Sequence, residues 1–230
     1  KLAGRISSQI EADSISLLNV FNETAFLNES GFDINTALGM YIPNSYEFYW
    51  NTSAKLFRSK MFDEYHRFWN DSRIQKAKKL NLSKIEVITL ASIVQKETSN
   101  VRERPIVAGL YLNRLNDQWP LQADPTIIFA LKQQQGKDMI IKRVLKKDLD
   151  IDSPYNTYKN VGLPPGPISM PDISSIDAVL NPKKHDFYYM CASINNIGTH
   201  EFAKTLSQHH KNASIYQNWF RFALRSARCM

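Results

Sequence analysis

The chain has little of what disulfide-stapled and metal-dependent proteins rely on. Its 230 residues include two cysteines, Cys191 and Cys229, which are too few for a disulfide framework and lack CxxC spacing. One disulfide between them is compatible with the count but not favoured. None of the five histidines falls into an HExxH arrangement or another metal-ligand spacing. The sequence therefore predicts no metal and no cofactor.

Long apolar stretches are missing as well. No run of about 18 apolar residues occurs, so no segment is predicted to span a bilayer. The chain opens on KLAG, without an initiator methionine or a signal-peptide pattern. We therefore expect it to be a fragment of a longer protein.

Acidic residues are in the minority. With 29 Lys and Arg against 22 Asp and Glu, the net charge is +7. This excess suits anionic surroundings such as lipid headgroups or an acidic polymer, or simply a diffusely basic surface. The densest basic cluster, at Lys76, Lys78 and Lys79, does not interleave with a ladder of aromatic residues. A nucleic-acid partner is therefore not predicted.

Apolar residues make up 43% of the chain, enough for one good core and a small second one. Their periodicity and the turn residues between them predict a mixed α+β chain. Helices are predicted at 2–12, 14–22, 34–38, 53–71, 83–98, 105–116, from 124 onward, 139–147, 171–180 and from about 206. An extended aromatic segment is predicted at 40–50, and a hairpin of two strands at 187–194 and 199–202.

One glutamate, Glu97, is hard to explain as a surface residue. It lies three residues after Val94 and seven after Leu90, so it continues the apolar stripe of its helix and is predicted to face the interior. A low dielectric and the negative end of the helix dipole disfavour the carboxylate, which predicts a pKa raised toward neutrality. A general acid requires such a pKa. The alternative is a side chain that snorkels to solvent at a fraying helix end.

Two further polar residues near this helix allow alternative interpretations. Asn113 shares a helix face with Ile106 and Leu110, and it is either a ligand contact beside Glu97 or a structural hydrogen bond between helices. Asp124 precedes Pro125 and is interpreted first as the N-cap of the next helix.

An irregular segment rich in proline and glycine comes later. It reads SPYNTY at 153–158 and GLPPGPIS at 162–169. Proline fixes φ while glycine permits close backbone approach, so the segment is predicted to form a stiff wall of the kind that shapes clefts. The alternative is a plain linker.

These segments, in this order, resemble the endolytic murein transglycosylases of the YceG-like (MltG) family. The motifs that carry the resemblance are LASIVQKET at 90–98, LNRL at 112–115, LQADPT at 121–126, PYNTY at 154–158, GLPPGPI at 162–168, and GTHEF at 198–202 with His209. The earlier YIPNSYEF at 41–48 is similar to the family's Leu-Phe-Pro-Asp-Thr-Tyr segment, with substitutions. The resemblance covers nearly the whole chain from about residue 40.

The resemblance implies a fold, a location and partners. The implied fold is α+β, with a lysozyme-like catalytic domain carrying small β elements at 41–230, preceded by a partial LysM-like subdomain at 1–40. The implied location is the bacterial inner membrane, through a single N-terminal helix absent from this chain, with the catalytic domain on the periplasmic or extracytoplasmic side. The implied partners are peptidoglycan glycan strands and penicillin-binding synthases.

The resemblance also implies a chemistry. The β-1,4 bond between N-acetylmuramic acid and N-acetylglucosamine would be cleaved without water to give 1,6-anhydro ends, which would terminate glycan elongation. Glu97 would be the only catalytic acid and base, because Gln95 stands where the family often has an acid. The expected substrate-binding residues are Asn113, Gln122, Asp124, Tyr155, Asn156, Thr157 and His200. His200 and its neighbour Glu201 alternatively serve the structure alone.

Two other functions stay open at this point. One is a non-catalytic peptidoglycan-binding scaffold of the cell-wall synthesis machinery, and the other is a hydrolysing muramidase. A binding module has no need for a desolvated acid, so burial of Glu97 favours an enzyme over a scaffold.

Overall fold

A computed structural model describes residues 1–136, 139–141 and 143–227. Within them the chain forms ten α-helices, two short 3-10 helices and one two-stranded sheet. The helices are α1 (Leu2–Ile6), α2 (Ser14–Phe21), α3 (Thr24–Glu29), α4 (Ala54–Phe68), α5 (Asp71–Lys79), α6 (Lys84–Glu97), α7 (Arg104–Asn116), α8 (Asp124–Gln135), α9 (Ile173–Leu180) and α10 (Leu206–Ala227). The 3-10 helices are Ala37–Met40 and Lys146–Asp150, and the strands are β1 (Tyr189–Ala192) and β2 (His200–Ala203). The predicted combination of helices with a small β element is confirmed.

The chain divides into two compact units. The first contains residues 1–93 and 164–180, and the second contains 94–163 together with the described part of 181–230. The boundary after Ile93 falls within α6. Within the described residues, no helix combines the length and the apolar character that crossing a membrane requires.

The first unit is a helical core. Here α2 packs on α1 and α4, and α5 packs on α9. Gly39 lets its backbone lie close to Ile85 of α6, because a Cβ at this position would be only 2.6 Å from Cδ1 of Ile85. Gly166 does the same in the proline-rich segment, where a Cβ would lie 2.3 Å from the carbonyl oxygen of Asn35. The predicted irregular course of 162–169 is confirmed, and its part from 164 onward belongs to this unit.

Several predicted helix limits in this unit are wrong for local reasons. The predicted helix 53–71 is confirmed as α4 but ends earlier, at Phe68. Asn70 adopts an extended backbone and its side chain accepts a hydrogen bond from the Arg73 N–H (3.0 Å), which starts α5, a helix absent from the prediction. The predicted helix 34–38 is replaced by the 3-10 helix Ala37–Met40. The Asp33 carboxylate accepts hydrogen bonds from the backbone of Asn35 and Thr36 there, a local turn that competes with a helix.

Two further helices of the first unit differ from the prediction. The helix predicted at 2–12 ends at Ile6, and α3 is absent from the prediction. Except for Met40, the last residue of the 3-10 helix, the aromatic segment 40–50 lies outside helices and strands.

The second unit combines α7, α8 and α10 with the hairpin. The two strands pair antiparallel with Tyr189 opposite Ala203 and Ala192 opposite His200. This confirms the predicted hairpin, with a shorter first strand and a second strand displaced by one residue. Helix α10 packs on both strands. Beyond that contact it carries exposed apolar residues, including Ile215, Trp219 and Phe220.

The predicted helix 139–147 is wrong for the residues that the structure describes. Residues 139–141 and 143–145 are irregular, and residue 142 lies outside the described residues. The Asp148 carboxylate accepts a hydrogen bond from the Leu145 N–H (2.8 Å), so that donor starts the 3-10 helix Lys146–Asp150 instead of continuing a helix from before it.

Candidate active site

Glu97 lies in the last turn of α6. The helix begins with a capping box, in which the Ser83 N–H donates to Oε2 of Glu86 (2.7 Å) and the Glu86 N–H donates to Oγ of Ser83 (3.3 Å). This start fixes the helical register, so Glu97 follows the fully buried Val94 on the same face.

A cavity of about 240 Å³ lies in front of Glu97, within the second unit. Its lining is mostly polar and draws on α6, α7, the start of α8, the irregular segment and both strands. The polar lining residues are Glu97, Tyr111, Arg114, Gln122, Asp124, Tyr158 and His200, and Leu110, Met190, Cys191 and Ala192 complete the wall.

The surroundings of Glu97 hold its proton at near-neutral pH. Burial raises the pKa of Glu97 to about 7, and the charge of Asp124 raises it further. The Tyr111 hydroxyl, which donates to Oε1 of Glu97 (2.7 Å), and the charge of Arg114 act in the opposite direction, as does the charge of His200 when its ring is protonated. Glu97 is half-buried and borders the cavity, so it is desolvated yet reachable. The predicted direction of its pKa is confirmed, and both protonation states are accessible near pH 7.

Tyr111 and Arg114 stand one helical turn apart on α7 and form the inner wall. Burial and the neighbouring Glu97 raise the pKa of Tyr111 well above its ordinary value, so this hydroxyl remains a donor. Arg114 is buried, and its guanidinium donates to the carbonyl oxygens of Tyr188 (2.8 Å) and Leu121 (2.6 Å). Burial lowers the pKa of Arg114. The arrangement places a fixed positive charge beside an acid that becomes negative when it loses its proton.

Gln122 reaches the cavity from a strained backbone. Its φ of 52° lies in the left-handed region, which is uncommon for a residue with a side chain. The strain is held by Thr157, whose carbonyl oxygen accepts from the Gln122 N–H (3.0 Å) and whose Oγ1 accepts from the Ala123 N–H (3.0 Å). Leu121 and Ala123 on either side are fully buried. The exposed Gln122 side chain is therefore presented at the cavity by its fixed neighbours.

The predicted capping role of Asp124 is wrong. Ala123 is the N-cap of α8, and Asp124 is the first helical residue with Pro125 after it. The Asp124 carboxylate instead accepts a hydrogen bond from the Tyr158 hydroxyl (2.6 Å), which lies 34 residues away along the chain. This hydrogen bond holds the Asp124 carboxylate at the cavity wall rather than over the N-terminus of α8. Burial and the Asp124 contact raise the pKa of Tyr158 above its ordinary value.

His200 completes the cavity from β2. Its ring Nδ1 lies 2.9 Å from Oε2 of Glu103, and its backbone N–H donates to Oε1 of the same carboxylate (2.7 Å). Glu201, the next residue, accepts a hydrogen bond from the Ser193 hydroxyl (2.7 Å) and does not line the Glu97 cavity. Of the two interpretations of this motif, His200 fits the cavity and Glu201 fits a structural role.

Four of the predicted site residues lie behind the cavity wall. The Asn113 amide donates to the carbonyl oxygens of His185 (2.9 Å) and Phe187 (3.1 Å). The buried Asn156 amide donates to those of Leu149 (2.9 Å) and Ile151 (2.8 Å). Buried Tyr155 packs on Phe129, and Thr157 holds the Gln122 backbone. A direct contact between these four side chains and a ligand stays a prediction from sequence.

Polar residues that border or support the cavity without having been predicted include Tyr111, Arg114, Tyr158 and Glu103. Tyr111 and Arg114 share a face of α7, and their spacing of three residues next to Leu110 is the signal that could have identified them. Glu103 has no comparable signal, because its partner His200 lies 97 residues away.

Within the described ranges, no group of three or more His, Cys, Asp or Glu side chains is arranged to hold a metal ion. Cys191 is a free thiol at the cavity wall, and Cys229 lies outside the described residues.

The fold and the site together define a class of protein. It is an α+β protein whose cavity holds a half-buried carboxyl group poised between its acid and base forms, next to a buried cation. Comparison with known proteins makes this specific: a profile of the YceG-like family matches residues 1–215, so the chain belongs to the YceG-like family. The resemblance found in the sequence motifs is thereby confirmed.

Individual relatives agree with this assignment. The chain is 44% identical over 139 residues to the endolytic murein transglycosylase of Bacillus subtilis (strain 168), covering 60% of this chain and 36% of the relative. It is 36% identical over 141 residues to the endolytic murein transglycosylase of Streptococcus pneumoniae serotype 2, covering 61% of this chain and 25% of the relative. The matched region thus spans about a third of the first relative's length and a quarter of the second's.

A solved structure is similar over most of the chain. The crystal structure of a yceG-like protein from Listeria monocytogenes superposes with a TM-score of 0.75 at 31% identity. The superposition covers 91% of this chain and 71% of the crystallised one.

Proposed function

We propose that this chain is the catalytic part of an endolytic peptidoglycan lytic transglycosylase. Two curated relatives are named endolytic murein transglycosylases, and the chain belongs to their family. The proposal rests mainly on the environment of Glu97. This carboxyl group borders a polar cavity, and its burial raises its pKa to about 7. A scaffold that only binds glycan has no use for such a group.

The proposed reaction uses Glu97 in two proton transfers. The protonated carboxyl group first donates its proton to the glycosidic oxygen, and the bond from that oxygen to C1 of N-acetylmuramic acid breaks. The resulting carboxylate then takes the proton of the C6 hydroxyl, whose oxygen forms the new bond to C1. The products are a new 4-hydroxyl end and a 1,6-anhydro end, and Glu97 is protonated again.

The neighbours of Glu97 suit both halves of this cycle. Desolvation and the negative charge of Asp124 favour the protonated form that the first step needs. The Tyr111 hydroxyl and the Arg114 charge favour the carboxylate that the second step needs. Ordinary glycosidases divide these tasks between two carboxyl groups. We assign Asp124 an electrostatic and substrate-contacting role, and Glu97 both proton transfers.

Substrate contacts are proposed for the predicted residues that reach the cavity. Gln122, Asp124 and His200 line it and offer an amide, a carboxylate and an imidazole to sugar hydroxyl and N-acetyl groups. Asn113, Tyr155, Asn156 and Thr157 are proposed to act mainly by holding the wall.

The proposal extends to the domains, the location and the partners of the whole protein. We propose that residues 41–230 form a lysozyme-like catalytic domain and that residues 1–40 are the later part of a LysM-like subdomain, to which the helical character of α1 to α3 is suited. The whole protein would be anchored in the inner membrane by a preceding helix, with this domain on the extracytoplasmic side. Glycan strands are its proposed substrate and penicillin-binding synthases its proposed partners.

Product analysis tests the proposal. Peptidoglycan is incubated with the chain and the fragments are analysed by mass spectrometry. We expect 1,6-anhydro ends, and we expect Glu97→Gln to reduce their yield about 10²- to 10⁴-fold, as loss of a general acid does. Glu201→Gln, which makes the same chemical change outside the cavity, serves as the control.

Each other outcome rejects a part of the proposal. Reducing ends would identify a hydrolysing muramidase, and intact glycan with retained binding would identify a scaffold. An unchanged anhydro yield in Glu97→Gln would show that the acid and base lie elsewhere.

A further inference from the structure

The buried contact between Glu103 and His200 constrains the cavity in a way that the proposed proton transfers do not use. Glu103 is only 5% exposed, yet both of its carboxylate oxygens are used by one residue. One accepts the backbone N–H of His200 (2.7 Å) and the other faces ring Nδ1 (2.9 Å). A single carboxylate thus fixes both the position of β2 at this residue and the orientation of its imidazole.

This geometry determines which ring nitrogen carries the proton. A carboxylate has only acceptor sites, so the hydrogen bond to Nδ1 requires a proton on Nδ1. In a neutral imidazole Nε2 is then an acceptor. The opposite tautomer would set two acceptors against each other at 2.9 Å inside the protein.

The other nitrogen, Nε2, belongs to a ring that borders the cavity. His200 lines the cavity whereas Glu103 does not, and the His200 side chain keeps 18% of its surface exposed. Within the described part of the chain, no side chain or backbone group forms a hydrogen bond with Nε2. An acceptor nitrogen at a polar cavity wall matches the hydroxyl and amide N–H donors of an N-acetylated sugar.

We propose that Glu103 is a positioning residue, which holds His200 as the Nδ1–H tautomer so that Nε2 accepts a hydrogen bond from a hydroxyl or amide group of the bound glycan. The identity of the ligand rests on the proposed function, whereas the tautomer does not. Carboxylates fix histidine tautomers in this manner in other enzymes, where the amide replacement produces the wrong tautomer and a large loss of rate.

Other charged groups around the ring do not replace Glu103. The titratable and charged groups that border the same cavity are Glu97, Tyr111, Arg114, Asp124, Tyr158 and Cys191. None of them forms a hydrogen bond with the His200 ring within the described residues.

The test compares Glu103→Gln with the wild-type chain. Glutamine keeps the shape, and its Oε1 accepts the His200 N–H, but its NH₂ group then donates toward Nδ1 and requires the proton on Nε2. Nitrogen-15 NMR of histidine-labelled protein reports the tautomer directly, with His200→Gln used to assign the signal. We expect Nδ1–H in the wild type and Nε2–H in Glu103→Gln, with an unfolding midpoint close to that of the wild type.

Turnover of peptidoglycan completes the test. We expect Glu103→Gln to lower the rate of 1,6-anhydro product formation by about 10²-fold or more, as in other carboxylate–histidine pairs. Glu201→Gln, one residue from His200 and bonded to Ser193, is the matched control and is expected to keep both the tautomer and the rate. A double variant with His200→Gln should be no slower than His200→Gln alone, because Glu103 acts only through that ring.

Four results would overturn the assignment. An Nε2–H tautomer in the wild type rejects it without any variant, as does an unchanged tautomer in Glu103→Gln. A changed tautomer with an unchanged rate rejects the role in positioning for the reaction, and additive losses in the double variant reject action through His200. Failure of the proposed function is distinct, because full activity of Glu97→Gln would leave the tautomer result untouched.

Discussion

Glu97 combines two opposing environments in one side chain. Burial disfavours its charge, whereas the Tyr111 hydroxyl and the Arg114 guanidinium stabilise it. The balance leaves the pKa at about 7 rather than at its ordinary 4.5 or far above neutrality. A group that must both give and take a proton works best at such a balance point.

This balance makes stability depend on pH. The folded state binds the Glu97 proton more tightly than the unfolded chain does, so the contribution is fully present below pH 4.5 and is lost as the pH rises through 7. Glu97→Gln removes this titration. The free energy of unfolding of the variant, relative to the wild type, should therefore rise by about 3 kcal/mol between pH 4.5 and pH 8, at about 1.36 kcal/mol per pKa unit.

Urea unfolding at a series of pH values measures this difference. Glu29→Gln, at an exposed position at the end of α3, controls for the change in net charge. A Glu97→Gln difference that stays constant from about pH 4.5 to pH 8 would show that the carboxyl group is not desolvated.

For single residues, the sequence predicts those features that depend on the spacing of neighbouring residues along the chain. Burial of Glu97 follows from its position on a helical stripe, and the capping box at Ser83 and Glu86 follows from four consecutive residues. The predicted capping role of Asp124 is wrong for the opposite reason. The capping rule considers only its neighbours, whereas its actual partner Tyr158 is brought to it by the tertiary fold.

Helix α7 is the element that organises the second unit. Besides Tyr111 and Arg114, it holds the segment that leads into β1. The Pro105 carbonyl accepts the Lys183 N–H (2.9 Å), the Ile106 carbonyl contacts the His185 ring (2.9 Å), and the Asn113 amide reaches the carbonyl groups of His185 and Phe187. The hairpin that carries His200 is thereby fixed relative to the helix that carries Tyr111.

Gly109 makes this close packing feasible. A Cβ at this position would lie 2.4 Å from the carbonyl oxygen of Lys183 and 2.8 Å from Nε2 of His185. We expect Gly109→Ala to reduce the free energy of unfolding by about 1–3 kcal/mol, because the backbone cannot yield to the added methyl group without losing hydrogen bonds. Chemical denaturation monitored by circular dichroism measures the change.

Gly4→Ala is the matched control for this prediction. Gly4 lies inside α1, and no group of the described residues lies within 4 Å of the place that an added Cβ would occupy, so alanine should stabilise the helix by up to about 1 kcal/mol. Equal effects of the two substitutions would contradict the packing argument at Gly109.

Element existence is predicted better than element limits. The helices that carry Glu97 and Asn113 follow from apolar periodicity together with capping and proline signals, and the hairpin follows from its turn residues. The helix predicted at 53–71 ends at Phe68 instead, and Asn70, a good N-cap, starts the unpredicted helix α5. Periodicity alone does not record such a restart.

Over the whole molecule the charge is strongly positive, with a net value of +7. Peptidoglycan, the proposed substrate, carries carboxylates in its peptide stems, so part of its proposed attraction to this chain should be electrostatic and screened by salt. We expect binding of Glu97→Gln to insoluble peptidoglycan to weaken several-fold between about 50 and 500 mM NaCl, measured by co-sedimentation. This variant avoids digestion during the experiment.

Glycan stripped of its peptide stems by an amidase provides the comparison. Without stem carboxylates, binding should be weaker and nearly independent of salt. Salt-insensitive binding to intact peptidoglycan would contradict an electrostatic contribution.

The left-handed backbone at Gln122 sets stability against function at a single position. Glycine would relieve the strain there, and a laboratory selection for heat resistance would favour it. The same exchange would remove the only part of residue 122 that reaches the cavity. The protein therefore keeps a conformational cost in its ground state, and engineering for robustness should leave this position alone.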